Sequence, residues 1–168
     1  MIAALPLPAP LSTIPGLALR RATSDDLDPL MRLLSDDAIS ASRGDRAAEA
    51  DRLAYERALN EVRTDGSNDI LVVHDELGAL IGTMQLTRIP GMARRGATRL
   101  QIEAVRVSSA QRSVGVGTAM MRWILDVAVP ATGAALVQLT SDAQREAAHR
   151  FYERLGFVPS HVGFKRQM

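Results

Sequence analysis

The pattern of apolar and polar positions predicts an alternation of strands and helices along nearly the whole chain. Leu17 to Arg21 reads as a first strand. Leu27, Leu30, Met31 and Leu34 recur at i, i+3, i+4 and i+7, the spacing of a helix with one buried stripe. Ser24 offers that helix an N-cap, and Asp25 and Asp26 put negative charge in its first turn, where the macrodipole favours it. Ser35 to Arg46 is polar and irregular. A second helix is predicted from Ala47 to Arg63, with Tyr55, Ala58, Leu59 and Val62 on one face. Turn formers from Thr64 to Asn68 end it. Asp69 to Asp75 and Ala79 to Thr87 read as strands of a hairpin closed through Glu76, Leu77 and Gly78. Ile89 to Thr98, with Pro90, Gly91 and Gly96, reads as a loop, and Arg99 to Val107 as the next strand. A helix from Gly117 to Val129 is closed by Pro130 and Gly133. Ala135 to Leu139 is an apolar strand. Ser141 is placed to cap a helix running to Arg154, with Gly156 at its C′ position. Short strands are expected around Phe157 and from Val162 to Gln167.

The order β α α β β β α β α β β predicts an α/β (α+β) domain, a mixed sheet with helices on its faces. Residues 1–16 are set apart. They are apolar but broken by Pro6, Pro8, Pro10 and Pro15, and they lack a basic n-region, so they read as an extended arm rather than a signal peptide. Residues 17–168 then form a single domain. With 46% hydrophobic residues in 168, a real core is available to it. Twenty basic against 19 acidic residues leave a net charge of +1, so no nucleic-acid partner is expected. Nearly all the basic residues are Arg, with Lys165 the only Lys, a bias read as genome composition. There is no Cys, which excludes a disulfide framework, a thiolate metal ligand and a thiol nucleophile. His74, His149 and His161 do not pair at metal-ligand spacing, so no metal is expected. No apolar run is long enough to span a bilayer. No membrane partner is expected, and a cytoplasmic location follows by default.

The stretch that carries chemistry runs from Arg99 to Thr118. A strand ends near Val107, a short turn follows, and two glycines open a helix. Unpaired N–H groups and the positive end of the dipole make a helix N-terminus attractive to phosphate. Gly115 and Gly117 let a ligand come close to the backbone, although a lone Gly-x-Gly also occurs in ordinary turns. The dinucleotide pattern fails, because Met120 stands where its third Gly belongs. The Walker pattern fails too, since no Lys-Ser/Thr follows.

Arg112-Ser113-Val114-Gly115-Val116-Gly117 resembles the Arg/Gln-x-x-Gly-x-Gly/Ala loop of the GNAT N-acetyltransferase superfamily. Downstream, Ala148-His149-Arg150-Phe151-Tyr152-Glu153-Arg154-Leu155-Gly156-Phe157 is similar to that family's Ala-x-x-Phe-Tyr-x-x-Leu-Gly-Phe helix end. The two motifs occur in the family's order with a strand between them. Phe151 and Leu155 at helical spacing also serve as core, and Gly156 as a C-cap. The resemblance implies a mostly antiparallel central sheet of about six to seven strands, splayed between the fourth (Arg99 to Val107) and the fifth (Ala135 to Leu139), with about four helices.

That resemblance implies acetyl-CoA as co-substrate and direct attack of an amine on its thioester. The loop Arg112, Ser113, Val114, Gly115, Val116, Gly117 and Thr118 would hold the pyrophosphate, mainly through backbone N–H groups. A bulge in the Arg99–Val107 strand would let pantetheine bond the main chain from Val105 through Arg106 to Val107, and one freed N–H would polarise the thioester carbonyl. Tyr152, beside Phe151, would protonate the departing thiolate, with a buried structural Tyr as the other reading. Members of the family often carry an Asn contact to pantetheine after the following strand; here Thr140, Ser141 and Asp142 stand there, and Ser141 could supply it. Glu103 is the candidate base, acting through water. It stands in an otherwise apolar strand where burial would make a carboxylate more basic. Alternation places Gln101, Glu103, Val105 and Val107 on one face. The competing reading has Glu103 facing solvent or pairing with Arg99 or Arg106.

The acceptor is a small-molecule or peptide amine. Asp36 and Asp37 could attract a cationic amine, and Arg88, Arg94, Arg95 and Arg99 a carboxylate or phosphate, though both groups also read as solvated surface. A homodimer is an expectation from the resemblance alone. The rival to an active N-acetyltransferase is a catalytically silent acyl-CoA-binding sensor or partner module.

Overall fold

The computed structural model describes residues 2–42 and 44–166. These fall into two compact units that meet in sequence between Gln138 and Leu139. The first holds a sheet in the order β1 to β6: β1 Ala9–Pro10, β2 Ala18–Arg21, β3 Asn68–His74, β4 Leu80–Ile89, β5 Arg99–Val107 and β6 Leu136–Leu139. The pairs from β1 through β5 are antiparallel. β6 runs parallel to β5: Ala135 N–H donates to the Thr98 carbonyl at 2.9 Å and Gln138 Nε2 to Gln101 Oε1 at 2.6 Å, so both segments advance together.

Cross-strand register sorts the sheet into two faces. Leu71 lies opposite Met84, Val73 opposite Gly82 and Leu86 opposite Ile102, and these residues are buried. Helix α4 (Val116–Trp123) covers this face with Met120 and Met121. Gly82 is where it comes closest: a Cβ there would stand 3.1 Å from Met120 Sδ and 3.3 Å from the Val73 Cβ. The opposite face carries Ile70 and Val72. There α1 (Leu27–Leu34) and α3 (Arg52–Thr64) contribute Leu27, Leu30, Met31 and Leu59 to one core cluster, with Tyr55 packed against it. Between them lies α2 (Ala38–Ser42), a short helix inside the stretch expected to be irregular.

The strand boundaries from β3 to β6 lie within two residues of those expected, and the hairpin closes through Asp75, whose carboxylate accepts the Leu77 and Ala79 N–H groups. Several local expectations are corrected. Thr23, not Ser24, stands at the first N-cap: its N–H and hydroxyl donate to the Asp26 carboxylate at 2.7 and 3.1 Å. Pro130 does not end the helix that begins at Val116. A π-helical segment (Ile124–Ala128) precedes it, and α5 (Val129–Thr132) carries it as far as Gly133 at φ +64°. The wider π turn spares the backbone the clash and the missing donor that proline brings to an α-helix. Between β4 and β5 the loop forms a left-handed turn, with Arg94, Arg95 and Gly96 all at positive φ. The first residues pack rather than extend freely: Ile2, Leu5 and Leu11 are buried, and Arg21 Nη2 donates to the Ile2 and Ala3 carbonyls.

Among its described residues the second unit holds one helix, α6 (Glu146–Arg154). It starts later than expected, because the Asp142 carboxylate accepts the Gln144 N–H at 2.8 Å and holds the chain in a turn, so Ser141 is not its cap. It ends as predicted, with Gly156 at φ +87°. Gly156 N–H donates to the Glu153 carbonyl and Phe157 N–H to that of Tyr152, a Schellman motif. Phe151 and Leu155, expected as core, are half-buried. Residues 157–166 contain no strand, and Gln167 lies outside the described residues. All of these positions are half-buried or exposed, and with Pro159 and Gly163 among them they offer no alternating apolar face.

Candidate functional site

The first unit places its chemistry along β5, the turn after it and the start of α4. Opposite Gln85 stands Glu103, and opposite Thr83 stands Arg106, so β4 advances by two residues while β5 advances by three. The extra residue is a bulge, and Ala104 sits in it at φ +49°. The ladder to β4 thus skips Ala104 and Val105. An alanine in the left-handed region costs roughly 1–2 kcal/mol, so this distortion is held by its surroundings.

The bulge shifts the phase of the strand. Arg106, rather than Val105 or Val107, shares the face of Gln101 and Glu103, which corrects the alternation expected there. Glu103 is exposed, so the burial expected to make it basic is absent. Arg106 is half-buried: Nη1 donates to the Val105 carbonyl at 2.9 Å and Nη2 to Ser40 Oγ at 2.8 Å, while Nε lies 3.5 Å from Asp37 Oδ2. Its side chain thus reaches from the bulge to α2. Nearby, the buried Gln101 carboxamide pairs with Gln138, and the half-buried Gln85 lies beside Glu103 on β4.

After Val107, Ser109–Gln111 form a 3₁₀ turn. Arg112, Ser113, Val114 and Gly115 are exposed, with Ser113 at φ +66° and Gly115 at φ +97°. Gly115 is the N-cap of α4, and only at Ala119 does an N–H find a helical partner, the Gly115 carbonyl at 2.9 Å. The N–H groups of Val116, Gly117 and Thr118 therefore precede the ladder and form a row at the positive end of the helix. Val116 is buried, which fixes the helix start, while the Gly117 and Thr118 positions are half-buried. This donor-rich, exposed loop fits a pyrophosphate. The Arg112 side chain is engaged elsewhere: Nη2 donates to the Asp36 carbonyl at 2.6 Å and Nε to that of Val107 at 3.4 Å.

The acidic pair expected to face an amine is also engaged. Asp36 Oδ2 accepts the Ser109 N–H at 2.6 Å, and Asp37 Oδ1 accepts those of Ile39 and Ser40. Arg88 donates to the Thr132 carbonyl and to Thr98 Oγ1.

In the second unit, Ser141 Oγ is shielded from water and has no hydrogen-bond partner among the described residues. Tyr152 stacks edge-on between Phe151, at 5.1 Å between ring centroids, and Phe157, at 5.9 Å. Tyr152 itself is half-buried. Sequence reasoning missed Asp36 as a partner of the phosphate-type loop and Ser40 as a partner of Arg106. Both contacts join residues more than 60 positions apart, and no local pattern signals them. Among the described residues no cluster of His, Cys, Asp and Glu could hold a metal ion, and no helix is long and apolar enough to cross a membrane.

The chain has counterparts among known proteins. No curated protein sequence matches the chain. A solved structure from Bacillus halodurans C-125, described as a transcriptional regulator, is 35% identical, with 90% of this chain and 99% of that chain covered at a TM-score of 0.84. An acetyltransferase from Trypanosoma brucei is 22% identical (90% and 99% covered, TM-score 0.72), and a glucosamine-6-phosphate N-acetyltransferase from Arabidopsis thaliana is 19% identical (90% and 97% covered, TM-score 0.70), so these two share the fold. The acetyltransferase (GNAT) family profile matches residues 28–157 and runs through both units. With most of its length matched, from α1 to the aromatic end of α6, the chain belongs to the GNAT acetyltransferase family.

Proposed function

We propose that this protein is an N-acetyltransferase that moves the acetyl group of acetyl-CoA to a primary amine on a small molecule or peptide. The observation that carries the reading is the Ala104 bulge, set directly before an exposed loop whose helix begins with unpaired N–H groups. Acetyl-CoA is the family's co-substrate. Backbone N–H groups from Ser113 to Thr118 take its pyrophosphate, and the main chain from Val105 to Val107 takes its pantetheine arm. A main-chain N–H released by the bulge polarises the thioester carbonyl. Glu103 accepts the amine proton through water, a relay suited to its exposure. Tyr152 returns a proton to the leaving thiolate, and Ser141 Oγ donates to pantetheine; both assignments rest on the family motif positions.

A second reading, an acyl-CoA-binding module without turnover, has one observation in its favour. The 35% identical relative is described as a transcriptional regulator. Two measurements separate the readings. Calorimetry with acetyl-CoA is expected to show binding to the wild type and none to Gly117→Glu, which sets a carboxylate against the phosphates. Thiol release over a panel of amines is expected to be amine-dependent. Binding without any amine-dependent release sinks the enzyme reading, and undiminished binding by Gly117→Glu removes the loop from the site.

A further inference from the structure

We infer that Asp36 is a positioning residue that holds the loop from Ser109 to Gly115 in its binding shape, an inference that rests on the loop's role as the pyrophosphate site. Asp36 lies in the link between α1 and α2, and it touches the loop region at two points. Its carboxylate accepts the Ser109 N–H at 2.6 Å, at the start of the turn after β5. Its carbonyl accepts Arg112 Nη2 at 2.6 Å, at the first position of the glycine motif, and the same Nη2 stands 4.0 Å from its carboxylate. The loop has few ties of its own. Arg112 to Gly115 are exposed, and Ser113 sits at positive φ without being glycine.

The link is itself fixed in place. Asp37 Oδ1 accepts the Ile39 and Ser40 N–H groups at the start of α2, and Ser40 Oγ accepts Arg106 Nη2 at 2.8 Å. One short segment is thereby tied both to the bulged strand and to the loop that follows it. A loop held in its bound shape before the ligand arrives spares the ordering cost of binding, which raises affinity without a contact to the ligand. Asp36 acts only on the part of the ligand that meets the loop. Its loss is therefore expected to weaken CoA and to leave pantetheine, which lacks the pyrophosphate, unaffected.

Two variants test this from opposite sides of one hydrogen bond. Asp36→Ala removes the acceptor. Ser109→Pro removes the donor at the first position of a 3₁₀ turn, after a Ser108 already in the extended region at φ −47° and ψ 137°, where proline is tolerated. Each variant is expected to bind CoA about fivefold more weakly by calorimetry, the loss of roughly one hydrogen bond. Each is expected to keep wild-type affinity for pantetheine by ligand-observed NMR, and the double variant to be no weaker than either single one. CoA affinity unchanged in either variant, or both ligands weakened equally, overturns the inference. If Asp36→Ala does not fold, Ser109→Pro alone decides. A wild type that fails to bind CoA overturns the loop reading itself, and this inference falls with it.

Discussion

Glu103 and Arg106 share one face of β5 only because Ala104 adds a residue between them. That pairing sets what each can do. Arg106 is spent on Val105, Ser40 and Asp37, so it shapes the strand rather than neutralising Glu103. Glu103 is left in water, where it can pass a proton through a bound solvent molecule but cannot rely on burial. Glu103→Gln keeps the size and the strand position and removes the proposed base. Turnover near neutral pH is expected to fall by about 10²-fold, the low end for general-base catalysis. CoA affinity should stay within a factor of about two, because the side chain is not part of the loop. A pH–rate profile that matches the wild type would remove Glu103 from the mechanism.

The bulge is the element on which the proposed site rests; the family resemblance implied it, but the residues themselves do not show it. Leu100 to Val107 reads as an ordinary alternating strand, and an alanine at position 104 gives no sign of a positive φ, which glycine would have advertised. What the sequence did announce were features that local chemistry decides. Leu27, Leu30 and Met31 mark the α1 stripe, Gly115 caps α4, and Gly156 closes α6. Errors came where a neighbour competes with the pattern: the Asp142 carboxylate delays α6, and a π turn lets the chain pass Pro130. The contacts of Asp36 with Ser109 and of Arg106 with Ser40 are tertiary and carry no periodic signal. If position 104 must be left-handed, a β-branched side chain there is costly. Ala104→Val is expected to lose about 2 kcal/mol of stability, while Ala104→Gly loses none. Equal melting temperatures for the two variants would show that the bulge does not constrain the strand.

At the scale of the molecule, 20 basic and 19 acidic residues nearly cancel, so the pH dependence of stability is set by a few buried groups rather than by net repulsion. Three titratable groups, the buried Asp26 and Asp69 and the half-buried His74, lie in the turn before α1 and on β3. Burial of Asp26 opposes its charge, but Arg20, bound through both guanidinium ends at 2.7 and 2.8 Å, and Thr23 outweigh it and hold the carboxyl below its ordinary value. Burial lifts the Asp69 carboxyl above its ordinary value even with Arg21 Nε at 2.7 Å. These two carboxylates push in opposite directions. Burial, reinforced by the Arg20 charge, lowers His74 from its ordinary value of 6.5. Arg20 Nη2 is 3.0 Å from His74 Nε2, and since a guanidinium only donates, that nitrogen accepts and the ring is neutral. In the unfolded chain His74 takes up a proton as pH falls through 6.5, whereas the folded chain resists until a lower pH. Its contribution to stability is therefore present above 6.5 and drains away as the pH drops below that value. The melting temperature of the wild type is expected to decline between pH 7.5 and pH 5.5, and His74→Gln, which can still accept from Arg20 but does not titrate, to lose part of that decline. Thermal melts across this range decide it: a variant that declines as steeply as the wild type would take His74 out of the account, since Asp69 acts with the opposite sign and Asp26 titrates below this range.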